Sequence, residues 1–233
     1  MVGVATPAPC VYDRARVRPV LLRAAGRESV QREEMSRQRV RESVACRRVA
    51  RAPGSLREVV DAYIRDYRSD ASRELLFFAR RRNLQDAISR AALAQLPGGK
   101  RHPHQYRIPR ASLELARKRL LLAALGGSET FEELHSKVDA SIGDVYRIGE
   151  LAIYDAALRI GAFLNLRPRL VYLHRGTRDG ARALGLGRGA STLDPAELPR
   201  EFRRLRPHEI EDCLCIFKHE IARLAAARRA ASR

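Results

Sequence analysis

The sequence predicts an all-α globular protein carrying a basic N-terminal extension, and three observations predict it. Apolar residues recur at three- and four-residue spacing through most of the chain after Gly54. Serine, threonine, asparagine or aspartate stands where many of those runs begin, and no segment alternates as a half-buried strand would. The 233 residues suffice to bury a sizeable core as one or two compact units. Residues 1–54 are dense in arginine and end at Pro53-Gly54. They read either as a flexible basic arm or as a helix over about 29–49, where Val30, Met35, Val40 and Val44 leave an apolar trace among charges. Residues 55–233 read as the helical part, with a hairpin element at about 143–165.

Taken in order, Ser55 and Glu58 form a capping box ahead of Leu56, Val59, Val60, Tyr63, Ile64 and Tyr67. Asp70 or Ser72 opens a second helix through Leu75, Leu76 and Phe78. Asn83 caps a third through Leu84, Ile88, Ala91 and Leu96, which Pro97-Gly98-Gly99 stops. Ser112 starts a fourth, through Leu113, Leu120, Leu121 and Leu125, ended by Gly126-Gly127. Thr130 and Glu133 make another capping box before Leu134, Val138 and Ile142. Asp194-Pro195-Ala196-Glu197 is a helix start with proline at the first helical position. One last helix places Ile210, Cys213, Leu214, Phe217, Ile221 and Leu224 on a single face. The pattern gives about nine or ten helices.

Charge narrows the function classes. The formal net charge is +18, and all but four of the 45 cationic residues are arginine. A GC-rich genome accounts for the arginine-to-lysine ratio but not for the net excess, which favours nucleic acid as partner over an anionic membrane. No run is long and apolar enough for a membrane span and no secretory signal is evident, so a soluble, cytoplasmic protein is expected. Cys10, Cys46, Cys213 and Cys215 contain no C-x-x-C pair, so neither a metal nor another cofactor is expected.

Between Ser128 and Gly185 the order is short helix, the tight turn Arg147-Ile148-Gly149, amphipathic helix, turn, and another short helix. Backbone N–H groups at such a turn bind phosphate when a small residue lets the oxygen approach, and Gly149 is that residue. This stretch resembles the helix-hairpin-helix segment of the DNA glycosylase superfamily over about a quarter of the chain. The family run is hydrophobic-Pro-Gly-hydrophobic-Gly; here Val145-Tyr146-Arg147-Ile148-Gly149 puts arginine at the first glycine. Val171-Tyr172-Leu173-His174 stands where the family has Val-Asp-x-His, so tyrosine replaces the catalytic aspartate, while Arg178, Arg182 and Leu184-Gly185 continue the pattern.

The resemblance implies double-stranded DNA with a flipped base as substrate, and RNA is a further possible partner. Excision breaks a C1′–N bond through an oxocarbenium-like state that an anion stabilises, so a replacement carboxylate is required. Asp155 and Glu150 are closest to the hairpin, Asp155 being the first choice although Arg159 four residues on also fits a plain ion pair. Tyr172 and His174 supply hydrogen bonds or stack on a base. The loop Lys100-Arg101-His102-Pro103-His104-Gln105-Tyr106-Arg107 has the make-up to follow a phosphate backbone and to insert Gln105 or Tyr106 where the base has left. Bifunctional family members carry lysine at the hairpin; Leu151 or Ala152 stands there, which implies a monofunctional enzyme. A damaged base, or a modified phage base removed as a defence, is the substrate this reading implies. The competing reading is a noncatalytic helical DNA- or RNA-binding module, and a carboxylate in a base-sized pocket beside the hairpin is what separates the two.

Overall fold

The computed structural model describes residues 52–231. The arginine-rich extension therefore lies, but for its last residues, outside the described residues. Among those described, the chain is all-α: α1 (Leu56–Asp66), α2 (Arg68–Ala79), α3 (Leu84–Ala92), α4 (Arg110–Leu122), α5 (Phe131–Ile142), α6 (Glu150–Leu164), α7 (Arg175–Ala183), α8 (Pro207–Ile216) and α9 (Lys218–Ala231). A two-stranded antiparallel ladder pairs β1 (Val171–Tyr172) with β2 (Thr192–Leu193).

The caps sit where the sequence puts them. Ser55 Oγ accepts from the Glu58 amide at 3.2 Å, Asn83 Oδ1 from Asp86 at 2.9 Å and Thr130 Oγ1 from Glu133 at 3.1 Å, each satisfying an amide the first turn leaves free. Several boundaries differ. The second helix needs no aspartate cap, because α2 begins one residue after α1 and shares Tyr67 with it. Instead of running to Leu96, α3 stops at Ala92; Ala94 turns left-handed (φ 53) and Gln95 bridges to Arg101. Pro109, not Ser112, marks the start of α4.

Asp194 makes the full capping box with Glu197, yet only a three-residue 3-10 turn follows. Pro199 forces Leu198 into extended backbone (ψ 155), which ends the turn. The single C-terminal helix is in fact two, broken at Phe217 (φ −100, ψ 20), whose ring packs edge-on against Tyr67, between α1 and α2, at 5.7 Å. The ladder contradicts the absence of strands; two residues per strand are too few to show alternation.

The buried side chains form two cores. One joins α2–α6 around Phe78, Leu113, Leu120, Phe131, Leu134 and Ile160. The other joins α1, the ladder and α7–α9 around Val59, Tyr63, Phe202, Ile210, Leu214 and Ile221. Each such aliphatic or aromatic side chain contributes about 1.5–3 kcal/mol on burial. In the second core α7 approaches α8 so closely that a Cβ at Gly176 would strike Cys215 Sγ and one at Gly180 the Leu214 carbonyl. Helices from both cores then line a cleft along α6.

Candidate active site

The hairpin joins α5 to α6. Arg147 takes the left-handed conformation (φ 66) at the position where the family pattern has its first glycine. Ile148 is buried and anchors the turn to the first core. Gly149 is the N-cap of α6 in extended backbone (φ −119, ψ 178), with no protein atom within 4 Å of where a Cβ would stand. Its openness, rather than any positive φ, leaves room for a phosphate oxygen at the helix N-terminus.

The loop from Lys100 to Arg107 lies against the middle of α6, at Asp155 and Arg159. Gln105 Nε2 donates to Asp155 Oδ2 at 3.0 Å, and Asp155 lies six residues, about 9 Å, along the axis from Gly149. Gln105 is buried and committed to Asp155 and Arg159, which leaves it unavailable for the expected insertion, whereas Tyr106 is exposed. Lys100 and Arg107 are exposed, while Arg101 is half-buried and donates to the Ile108 carbonyl at 3.1 Å. The His102 imidazole accepts from the His104 amide, stacks on the His104 ring at 5.0 Å and reaches Glu74 at 3.7 Å. Burial, reinforced by Arg159, pulls the His102 pKa down.

Beside the loop opens a cleft of about 460 Å3, within the range that holds a small organic ligand. Asp155 and Leu151 of α6 line it with Glu74 of α2, His102, His104 and His174, and Glu211, Asp212 and Cys215 of α8. Asp155 is gripped from behind: Arg159 Nη2 reaches it at 3.3 Å and pairs through Nε with Glu74 at 2.9 Å. Arg159 is only 3% exposed, so this is a largely buried charge network rather than a solvated pair. Asp212 differs. Burial raises its pKa well above the usual carboxylate range, the neighbouring charges of Glu211, Asp155 and Glu74 push the same way, and the Tyr63 hydroxyl, donating at 3.0 Å, only partly offsets them. Asp212 therefore holds a proton at a pH where an ordinary aspartate has none. The cleft thus pairs a guanidinium-held carboxylate with a proton-bearing one.

His174 is the N-cap residue of α7 and lines the same cleft. Its Nε2 hydrogen-bonds Glu211 Oε1, and Thr177 Oγ1 joins both, at 2.9 Å from each. Tyr172 and Glu150 lie elsewhere: they line a second recess, on the α5 side of α6, with His135, Tyr154 and Asp139. There Tyr172 packs 4.5 Å from the His135 ring and 5.2 Å from Tyr154, and burial lifts its hydroxyl pKa to about 12. Glu150 is exposed and meets Arg178 of α7 at 3.3 Å.

Of the carboxylates expected near the hairpin, the cleft contains Asp155 alone; the sequence reading passed over Glu74, Glu211 and Asp212. The available signal was Glu209-Ile210-Glu211-Asp212 on a helix otherwise read by its apolar face. Among the described residues no group of histidine, cysteine, aspartate and glutamate fits a metal ion, and no helix is long and apolar enough to cross a membrane. No protein-family model matches the chain, and no curated protein or solved structure matches it either, so any functional reading rests on the cleft and the hairpin themselves.

Proposed function

We propose that this chain is a monofunctional DNA N-glycosylase-type hydrolase that excises a damaged or modified base drawn into the cleft along α6. The observation that carries the reading is the pairing, along α6, of Asp155, held by Arg159 and Gln105, with the half-buried Asp212, whose carboxyl pKa is raised. A carboxylate held by a guanidinium beside one whose pKa is raised suits an anion and an acid acting on one bond. In this reading Asp212 gives its proton to the departing base as the C1′–N bond breaks and the electron pair leaves with the base. Asp155 stabilises the cationic sugar and takes a proton from the water whose oxygen bonds to C1′. Outside the cleft, the hairpin amides at Gly149 and the cations Arg147, Lys100 and Arg107 hold the phosphate backbone.

Leu151 projects no amine into the cleft. Lys218 lines it, so borohydride trapping during turnover checks the monofunctional assignment; a covalent adduct at Lys218 would replace it with a lyase mechanism. The direct test incubates the protein with normal, damaged and hypermodified duplex DNA and then with hot alkali, which cuts at abasic sites. Cleavage dependent on Asp155 and Asp212 is the expected result. One observation favours the noncatalytic binding module: Asp155, Arg159, Glu74 and Gln105 saturate one another as a structural network would. Binding of DNA or RNA with no base released from any substrate would install that reading.

A further inference from the structure

A further recess, of about 400 Å3 and distinct from the one that Tyr172 lines, adjoins the cleft through Leu75 and His208, which line both. It holds Arg68, Arg167, Arg204 and Arg206. Arg167 follows the C-terminus of α6, a helix of 15 residues and so about 22 Å long, which sets this recess far from the phosphate site at Gly149.

Four guanidinium groups meet one lining carboxylate, Glu209, and Arg68 takes it at 2.8 Å. Arg204 is tied to Asp61. Among the described residues, Arg167 and Arg206 have no carboxylate partner. Burial, together with the charge of Arg206, pulls the Arg167 pKa below that of a free guanidinium. His208 is 7% exposed and its Nδ1 is buried without a hydrogen-bond partner among the described residues. Burial and the charges of Arg167, Arg206 and Arg68 bring its pKa down to about 4, although Glu209 opposes them. His208 is therefore a neutral imidazole, able to donate from Nδ1–H. Arg68 is engaged with Glu209 at two points, Nε at 2.8 Å and Nη2 at 3.0 Å, which leaves the His208 Nδ1 as the unpartnered group of the recess among the described residues.

Crowded guanidinium groups repel one another, and a buried donor left unpaired costs about 1–3 kcal/mol. Both penalties are relieved by a compact anion with several acceptor oxygens, which guanidinium forks grip in pairs. We propose that this recess binds a phosphate group, either a free monoester or one phosphodiester of a strand, through Arg167, Arg206 and the Nδ1–H of His208. The assignment goes beyond base excision and stands whether or not the cleft is catalytic.

The test titrates the full chain with inorganic phosphate and with thymidine 5′-monophosphate, by calorimetry and by NMR of the His208 ring. Saturable binding is expected, with the His208 pKa rising as the anion arrives. Arg167→Ala/Arg206→Ala should weaken it at least about tenfold, the worth of one charge-assisted hydrogen bond, with an unchanged thermal transition. If that pair disturbs folding, Arg206→Ala alone serves, because Arg206 is exposed. Should neither small ligand bind, a fall in DNA affinity in the double variant, with a salt slope shallower by about 0.9 per lost phosphate contact, assigns the site to a strand. Phosphate binding that survives both variants would overturn the proposal. So would an absence of small-ligand binding together with unaltered DNA affinity and salt slope.

Discussion

Asparagine at position 155 separates the two readings most cleanly. The Asp155 carboxylate accepts from Gln105 at 3.0 Å and Arg159 at 3.3 Å, and the Arg159 side chain is only 4% exposed. Stranding a buried charge costs about 3–5 kcal/mol, but here Arg159 keeps Glu74 at 2.9 Å. Loss of the weaker partner should then cost the fold about 1–2 kcal/mol, roughly one hydrogen bond to a charged group. The amide keeps the carboxylate's shape while removing the anion from the sugar's transition state, a change comparable to deleting one preorganised electrostatic partner, about 100- to 1,000-fold in rate. Affinity for DNA should hold or rise, since an anion near phosphates has been neutralised. Single-turnover release of the base, with melting and affinity measured on the same preparation, reads all three quantities. A folded Asp155→Asn variant that cuts within about twofold of the parent rate would show that the sugar's anion lies elsewhere, with Asp212 and Glu211 the remaining carboxylates of the α8 wall, and Glu150 the one left at the hairpin.

Asp212 tests the acid. Its raised pKa means that, from the unfolded value near 4 up to its folded value, the folded chain binds the extra proton and stability falls as pH rises. Asp212→Asn should flatten that decline in thermal melts and abolish base release; a variant whose melts track those of the parent would show that Asp212 carries no such burden. Gly180→Ala should destabilise by about 1–3 kcal/mol in denaturant titrations, because its methyl meets the Leu214 carbonyl, and a neutral result would contradict the close contact of α7 and α8. Gly149→Ala meets open space, so the fold should lose no more than about 1 kcal/mol at the N-cap while DNA affinity falls; unchanged affinity would remove the hairpin from the DNA interface.

Helices were legible because capping and spacing act locally. Ser55, Asn83 and Thr130 announce their helices through bonds that span three residues. The errors lie where distant packing or a proline overrode a local signal: Phe217 breaks a continuous apolar face by docking on Tyr67, and Pro199 cuts short what Asp194 begins. The site divides the same way. Asp155 was visible from its own helix, whereas Asp212 takes its proton affinity from burial and from Glu211, Asp155 and Glu74, against an opposing hydrogen bond from Tyr63, 149 residues away. Apart from Glu211 beside it, nothing near position 212 encodes that environment. Gln105 shows the reverse error, since a polar residue in a basic loop reads as solvent-facing until its partner on α6 is known.

Arg147 holds a left-handed backbone that a glycine would adopt without a side chain to oppose it, at a cost of about 1–3 kcal/mol. Among the described residues its guanidinium makes no ion pair, lying only near the Tyr146 ring at 5.7 Å. The free chain thus carries a strain that no internal contact of that charge offsets. In the proposed reading, a phosphate seated on the hairpin would supply that counterweight, recovering as affinity what the turn gives up as stability. The hairpin would then be a part of the molecule that is more at ease bound than alone.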